Sequence, residues 1–259
     1  MILEDFHVHT NFCDGKDSCE EMVKAALTLK MRRLGFSGHF YTDFDDSFCM
    51  SRENTLKYAE KVSELKEKYK DKIEIFCGIE MDYFSDSLPI SADYIIGSVH
   101  YVKSGDNILS IDESEDSLKK AVWEFYDGDY YALAEDYFSL AGEVVTKTNA
   151  DIIGHFDLIT KFNEGNKLFD TQNPRYVNAA KKAIDRLIPY GKPFEINMGA
   201  ISRGYRSEPY PEISLLKYIH QRGGRVILSS DSHSRDTLCF EFKKYEKIAR
   251  NIGFDNLLF

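Results

Sequence analysis

The sequence predicts an α/β fold in which a mainly parallel sheet closes into a (β/α) barrel. Three observations favour this fold. Short apolar runs that suit strands alternate with longer amphipathic stretches along the whole chain. About seven such strand–helix pairs fill the 259 residues, which suits a closed barrel better than an open sheet. Side chains that bind metals follow most of the predicted strands, and the carboxyl ends of barrel strands meet at one mouth.

The elements follow from periodicity and from cap residues. The first helix begins with a capping box, because the Ser18 hydroxyl can accept the amide of Glu21. Gly191 and Gly223 stand where helices end, since glycine tolerates the left-handed cap conformation. We predict strands over residues 3–8, 33–37, 73–79, 94–99, 151–154, 193–196 and 225–229, and helices over 18–31, 52–69, 114–126, 130–149, 174–190, 213–222 and 236–252.

Composition excludes several classes of protein. The 18 Phe and 16 Tyr are too many for a disordered chain. With 33 basic and 43 acidic residues the net charge is −10, which argues against a nucleic-acid partner. A small phosphorylated substrate remains compatible with this charge, because bound metal ions reverse the sign locally.

The chain carries no sign of export or of a membrane partner. Its five cysteines are scattered, with no C-x-x-C pair, and we expect reduced thiols in the cytoplasm. The first residues do not resemble a signal peptide, and no apolar run is long enough to span a bilayer. We interpret Cys13, which lies near the candidate site, as a packed thiol.

Six of the seven histidines stand at or just after the ends of predicted strands. His220 is the exception, and we assign it no function because it lies on a predicted helix. Acidic and amide residues occupy the same kind of position. The strand-end set comprises His7, His9, His39, Glu80, His100, His155, Asp157, Glu195, Asn197, Asp231 and His233.

These residue types predict a metal centre. Imidazoles and carboxylates bind Zn, Mn or Fe, and side chains two apart on a strand point to one side, so His7 and His9 can share an ion. Taken alone, a histidine such as His39 or His155 would suit a structural role better than a metal site. Together they exceed what one catalytic ion needs, which favours two or three divalent transition-metal ions. Such clusters favour hydrolysis of phosphate esters.

At this point the chain resembles the polymerase and histidinol phosphatase (PHP) superfamily. The shared motifs occur in the family's order and span nearly the whole chain. They are HVHT at 7–10, SGHF at 37–40, GIEMDY at 78–83, GSVHY at 97–101, GHFD at 154–157 and SSDSH at 229–233. The resemblance implies a distorted (β/α)7 barrel, one domain over residues 1–259, with a trinuclear metal site at its mouth.

The resemblance also implies the ligand sets. One ion would be held by His7, His9, Glu80 and Asp231; a second would share Glu80 and add His100 and His155; a third would use His39 and His233. Many relatives supply a further histidine to the third ion at the position of Gly15. We expect the neighbouring Asp14 to take its place.

Within the superfamily the chain resembles the stand-alone histidinol-phosphate phosphatases of bacterial histidine biosynthesis. Its length is that of a bare PHP domain, and the segments 41–51 and 197–211 resemble loops of those enzymes. The implied reaction converts L-histidinol phosphate to L-histidinol and phosphate through attack by a metal-bridging hydroxide. Asp231 would orient that hydroxide or accept its proton.

The remaining roles are open among a few residues. His233, Asp157 and Asp43 are each candidates for the general acid. Arg203 is the first candidate to clamp the phosphate and Lys161 the second, because guanidinium and ammonium groups pair with phosphate oxygens. Asp43, with the other acids of the loop 43–46, is a candidate for binding the substrate ammonium.

Two alternatives remain at this stage. One is another phosphoesterase of the same superfamily, such as a nucleotide phosphatase, a phosphotyrosine phosphatase or a nuclease. The other is a non-catalytic barrel that metal ions merely stabilise, although such a protein would be expected to have lost several ligands. Oligomeric state and native metal are not predicted.

Overall fold

The computed structural model describes residues 3–257. Its main sheet has seven parallel strands in the order β1-β2-β3-β4-β7-β8-β9, with a separate antiparallel hairpin of β5 and β6. The strands are β1 (Glu4–Asp5), β2 (Arg33–Phe36), β3 (Glu74–Asp82), β4 (Tyr94–Ser98), β5 (Tyr101–Ser104), β6 (Asn107–Ser110), β7 (Ile152–Ile153), β8 (Phe194–Asn197) and β9 (Val226–Ser229).

The sheet closes on itself at the carboxyl ends of its first and last strands. A parallel bridge joins Val8, beyond β1, to Ser232, beyond β9. The His9 amide donates to the Ser232 carbonyl at 2.8 Å, and the Ser232 amide donates to the His7 carbonyl at 3.1 Å. The predicted seven-stranded barrel is therefore confirmed, and its closure occurs at the level of the predicted metal ligands.

Helices surround the barrel between successive strands. They are α1 (Cys19–Thr28), α2 (Arg52–Tyr69), α3 (Glu115–Phe125), α4 (Tyr130–Ala141), α5 (Val144–Thr148), α6 (Pro174–Leu187), α7 (Gly199–Ser202), α8 (Ile213–Gln221) and α9 (Phe242–Ile252). Across residues 3–257, no helix has both the length and the apolar character that a membrane span requires.

Several predicted boundaries differ from the structure for local reasons. The helix predicted over 130–149 is two helices, α4 and α5, because the chain turns at Gly142 and Glu143. The helix predicted over 174–190 ends at Leu187 and continues as a 3-10 turn that contains Pro189. The last helix begins at Phe242 rather than at 236. The β5–β6 hairpin and the short α7 were not predicted.

Helix caps follow the sequence signals. Ser18 and Glu21 form the complete capping box at the start of α1, where the Ser18 amide donates to Glu21 Oε2 at 2.9 Å. Gly191 and Gly223 adopt positive φ angles of 63° and 75° after their helices.

A small apolar layer fills the barrel interior below the mouth. Phe6, Tyr94, Ile96, Ile152 and Ile227 form this buried cluster. The Tyr94 hydroxyl donates to the carbonyl oxygens of Phe6 and Phe36 at 2.6 and 2.8 Å, so its polar atom is satisfied inside the core. The barrel interior therefore contains a buried apolar cluster in addition to the polar side chains at its mouth.

Candidate metal centre

The barrel mouth brings together all nine side chains predicted to bind metal. Their nitrogen and oxygen atoms form four overlapping groups, and the atoms within each group lie within 4.8 Å of one another. The groups are His7, Glu80 and His155; His7, His9 and Asp231; His39, Glu80 and His100; and His9, Asp14, His39 and His233.

Glu80 lies at the centre of this cluster. Strand β3 continues to residue 82, three residues beyond its predicted end, so Glu80 projects from the strand itself. Its Oε2 lies 3.1 Å from His7 Nε2 and 3.0 Å from His39 Nδ1. Its Oε1 lies 2.8 Å from His155 Nε2 and accepts a bond from the Ser98 hydroxyl at 2.6 Å. One carboxylate thus joins the two halves of the cluster.

Asp231 faces Glu80 from the last strand. Its φ of 51° lies in the left-handed region, a backbone conformation that is enriched at functional sites. Its Oδ1 lies 3.3 Å from His9 Nε2, and its Oδ2 pairs with Arg203 Nη2 at 3.0 Å. A Cβ at Gly199 would lie 2.4 Å from Asp231 Oδ2 and 2.7 Å from Arg203 Nη2. This ion pair therefore requires glycine at position 199.

Asp14 completes the outer part of the cluster. Its Oδ2 lies 3.1 Å from His233 Nε2, and its Oδ1 lies 3.8 Å from His39 Nε2. A Cβ at Gly15 would lie 2.5 Å from the Thr10 backbone nitrogen, so no larger residue fits there in this loop conformation. Asp14, next to Gly15, offers a carboxylate to this part of the cluster.

The donor set fits divalent transition-metal ions. Imidazole nitrogens and carboxylate oxygens are the ligands that Zn, Mn and Fe use in proteins. His9 Nε2 is buried and makes no hydrogen bond with the described residues, although it lies between the Glu80 and Asp231 oxygens at 3.4 and 3.3 Å. A cation between these atoms would give the buried nitrogen a partner.

Burial and mutual charge shift the pKa values of the cluster. Burial raises the pKa of the Glu80 carboxyl, but His7 and His39 outweigh this and hold it well below its usual range. Burial, together with the charges of His233 and His39, lowers the pKa of His9 to about 3. Ionised carboxylates and a neutral His9 suit metal ligation. Despite burial, the neighbouring carboxylates raise the pKa values of His7, His39 and His100, and a bound ion would displace those protons.

Two further carboxylates contact the Nδ1 atoms of His7 and His100. Glu195 Oε1 lies 2.6 Å from His7 Nδ1. Asp82 Oδ2 lies 3.2 Å from His100 Nδ1 and accepts from the His100 amide at 2.8 Å. Asp82 was missed in the sequence, although its position at the end of a strand was a usable signal.

Two adjoining cavities open beside the cluster. The cationic compartment, of about 120 Å³, is lined by Arg203, Lys161, Tyr205, Leu158 and the metal-site side chains. The acidic compartment, of about 230 Å³, is lined by Asp45, Asp112, Glu113, Phe48 and Tyr101 with neighbouring residues. The two compartments share His39, His100, Asp112 and Lys161. The metal centre therefore lies next to one space with basic residues and another with acidic residues.

The predicted substrate-binding residues fall in different places. Arg203 and Lys161 both line the cationic compartment. Arg203 also bonds Asp231 and His233, and Lys161 Nζ lies 3.2 Å from Asp112 Oδ2. Asp43 is exposed and lines neither compartment; Asp45 is the acid of that loop that lines one. The role predicted for Asp43 stays a prediction without geometric support.

Three other residues named from the sequence lie outside the compartments. Asp157 is fully buried and accepts from the Glu212 amide at 3.0 Å. His220 packs its ring against Phe254, 5.1 Å between centroids. Cys13 lies 3.6 Å from His9 Nδ1, and burial raises the pKa of its thiol to about 12, so it is protonated at neutral pH. The interpretation of Cys13 as a packed thiol agrees with this environment.

Comparison with known proteins finds relatives along the whole chain. A Schizosaccharomyces pombe protein named "Probable histidinol-phosphatase" is 27% identical over 248 residues, covering 88% of this chain and 79% of the relative. A solved structure of a candidate histidinol phosphatase from Listeria monocytogenes superposes with a TM-score of 0.82 at 19% identity, covering 93% of this chain and 99% of that one.

A second solved structure is the histidinol phosphate phosphatase of Lactococcus lactis, in complex with zinc, L-histidinol and phosphate. It superposes with a TM-score of 0.75 at 22% identity and covers 99% of this chain and 95% of that one. At these identities the two structural likenesses establish the fold. The family model for the PHP domain matches residues 5–199, well over half of the chain. The chain therefore belongs to the PHP domain family.

Proposed function

We propose that the chain is a metal-dependent phosphomonoesterase that hydrolyses L-histidinol phosphate to L-histidinol and phosphate. One observation carries this proposal: the candidate metal centre adjoins both the cationic and the acidic compartment. L-histidinol phosphate carries an anionic phosphate at one end, an imidazole at the other and an ammonium on the carbon between them. The names of the relatives and the zinc, histidinol and phosphate in the Lactococcus lactis structure support the same substrate.

The metal cofactor is part of the proposal. Two or three Zn, Mn or Fe ions would be held by the cluster described above, with Glu80 shared between two of them and Asp14 replacing the usual histidine near the third. When bound, the ions would activate a water for in-line attack on phosphorus and neutralise the phosphoryl oxygens. The convergence of nine nitrogen and oxygen ligands supports more than one ion.

Arg203 and Lys161 are proposed to bind the phosphate. Both line the cationic compartment beside the metal ligands. Arg203 Nη1 donates to the backbone carbonyl of Asp231 at 3.0 Å, which fixes the direction of its guanidinium. Lys161 is held over the Tyr205 ring, 5.2 Å from its centroid. These cations would orient the phosphate and offset its charge.

Asp231 and His233 are proposed to move the protons. Asp231 faces the cluster centre and would orient the attacking water. Of the three candidates for the general acid, His233 alone lines the cationic compartment, whereas Asp157 is buried elsewhere and Asp43 is exposed. In this role His233, which is one-fifth exposed, would donate a proton to the departing alkoxide and would not bind the third ion at the same time.

The acidic compartment is proposed to recognise the ammonium and the imidazole of the substrate. Lys161 already pairs with Asp112, and Asp45 accepts from the Tyr101 hydroxyl at 2.7 Å. The carboxylate of Glu113 makes no ion pair or side-chain hydrogen bond with the part of the chain that the structure describes. Glu113 is thus the acid in this compartment most available to an ammonium, and the Phe48 and Tyr101 rings offer faces to an imidazole.

The experiment that tests this proposal compares two substrates in one variant. Glu113→Gln is expected to raise the KM for L-histidinol phosphate about tenfold, the size of one lost charge-assisted hydrogen bond. Its KM for glycerol phosphate, which has no ammonium, should not change. Glu124→Gln, on the exposed surface of α3, is the matched control. Equal kinetics of Glu113→Gln and wild type on both substrates would contradict the proposed recognition.

The proposal extends to partners and location. With a net charge of −10, we expect no nucleic-acid partner. All five cysteines are free thiols, as expected for the cytoplasm, which stays the proposed location.

A further inference from the structure

Glu195 is a fully buried carboxylate that faces the metal ligands from strand β8 without itself joining their groups. Its Oε1 lies 2.6 Å from His7 Nδ1, and both side chains have no solvent exposure. Burying a charged carboxylate is costly unless several donors satisfy it. The hydrogen bonds that satisfy Glu195 show which neighbouring groups it holds in place.

The first contact selects which nitrogen of His7 faces the cluster. A carboxylate only accepts hydrogen bonds, so His7 Nδ1 must carry the proton that Glu195 Oε1 receives. The other nitrogen, Nε2, points to Glu80 Oε2 at 3.1 Å and to Asp231 Oδ1 at 3.7 Å. With the proton held at Nδ1, the lone pair of Nε2 is free to bind a cation.

The second oxygen of Glu195 is tied to two further donors. Oε2 accepts from the His155 amide at 2.9 Å and from Asn197 Nδ2 at 3.0 Å. The orientation of the Asn197 side-chain amide is fixed, because its Oδ1 accepts from the Gly199 amide at 2.8 Å and a flip would break both hydrogen bonds. One carboxylate thereby joins the ends of β7 and β8 to His7, which follows β1.

We propose that Glu195 is a positioning residue for metal binding. It acts through His7, by fixing the tautomer and the direction of the imidazole, and through the backbone of His155. The inference rests on the metal centre of the proposed function and is independent of the substrate. It assigns Glu195 no contact with substrate or ion.

The test measures metal affinity rather than turnover. A glutamine at position 195 has one acceptor and one donor group, so it cannot satisfy His7 Nδ1–H, the His155 amide and Asn197 together. The metal-free Glu195→Gln variant is titrated with Mn²⁺ or Zn²⁺. We expect its dissociation constant for the ion held by His7 to be roughly 10–100-fold higher than that of wild type, the usual effect of removing a carboxylate that supports a ligand histidine. Glu212→Gln, a buried glutamate elsewhere, should bind within about twofold of wild type.

A double variant separates this role from a general structural one. If Glu195 acts mainly through His7, Glu195→Gln should weaken binding far less in a His7→Ala background than in wild type. Equal weakening in the two backgrounds, or wild-type affinity in Glu195→Gln, would overturn the inference. A wild-type protein that binds no ion would instead contradict the proposed metal centre itself.

A measurement on the wild-type protein does not depend on the folding of any variant at position 195. Nitrogen-15 NMR of histidine-labelled protein reports the tautomer of each imidazole, and the His7 signals are those lost in His7→Ala. In the zinc-loaded protein we expect the proton of His7 on Nδ1. A proton on Nε2 instead would overturn the inference.

Discussion

At the residue scale, Asp112 is notable because it lines both the cationic and the acidic compartment. Its Oδ2 lies 3.2 Å from Lys161 Nζ, and its carbonyl accepts a second bond from the same ammonium at 2.6 Å. Burial raises the pKa of the Asp112 carboxyl, but Lys161 and His100 outweigh burial and hold that pKa below its usual value. The ionised carboxylate is therefore more stable in the folded chain than in the unfolded one.

This shift predicts a specific dependence of stability on pH. The contribution of Asp112 should be fully present above the unfolded pKa of 3.8 and lost as the pH falls through the lower folded pKa. Asp112→Asn should lower the free energy of unfolding by about 1–3 kcal/mol near neutral pH, with the difference from wild type closing below about pH 4. Urea unfolding across this pH range measures it. Asp106→Asn, exposed in the β5–β6 turn, is the control; a difference that does not vary with pH would contradict the assignment.

Individual ligands could be predicted because their pattern is unusual. Histidines such as His7 and His9 stand out by residue type and by position at strand ends. Acids are too common in this chain to stand out, so Asp45 could not be separated from Asp43 by sequence. Only the loop geometry turns Asp45 toward Tyr101 and leaves Asp43 exposed.

At the scale of elements, local signals define helix starts better than helix ends. Ser18 begins α1 with both bonds of its capping box. The end of the same helix comes at Thr28, three residues before the predicted one, because Lys30 adopts a positive φ of 59°. That turn leads into β2, and the Arg32 amide donates to the carbonyl of Leu3, beside β1, at 2.9 Å.

The capping box gives a measurable prediction. Ser18→Ala removes the acceptor for the Glu21 amide and the partner of the Glu21 carboxylate, so the free energy of unfolding should fall by about 1 kcal/mol. Thr28→Ala, at the exposed end of the same helix, should have a smaller effect. Denaturant unfolding of both variants checks this; an unchanged stability in Ser18→Ala would mean that the cap adds nothing.

Elements that depend on distant contacts could not be predicted. The β5–β6 hairpin is an exception, because its two-residue turn of Gly105 and Asp106 is a local hairpin signal that was missed. Strand β3 runs on to Asp82 because β4 pairs with it up to Ser98. The length of β3 therefore follows from pairing between strands rather than from local preference.

At the scale of the whole molecule, the candidate ligands join the two ends of the barrel sheet. They range from His7 to His233, and the closing bridge between Val8 and Ser232 lies between ligands of the first and last strands. Bound ions would therefore connect segments that are far apart in sequence. The sequence predicted this closure, because ligands so widely spaced along the chain must meet in one place.

Metal loading should stabilise the barrel as one unit. At an ion concentration about 100 times the dissociation constant, each site adds about 2.7 kcal/mol, which raises the Tm of a chain of this size by roughly 5–10 °C. We expect one cooperative transition, consistent with one domain. His7→Ala combined with His9→Ala should abolish the shift, whereas His220→Gln should keep it. Calorimetry with and without chelator checks this; two separate transitions would contradict the single domain.

The central claim is hydrolysis of L-histidinol phosphate, and phosphate release tests it most directly. The protein, loaded in turn with Zn, Mn and Fe, is assayed on L-histidinol phosphate beside glycerol phosphate, a nucleotide, phosphotyrosine and a short oligonucleotide. We predict that kcat/KM is highest for L-histidinol phosphate and that the metal-free protein releases no phosphate from any of the esters. Release from L-histidinol phosphate no faster than from the other esters, with every metal, would contradict the account.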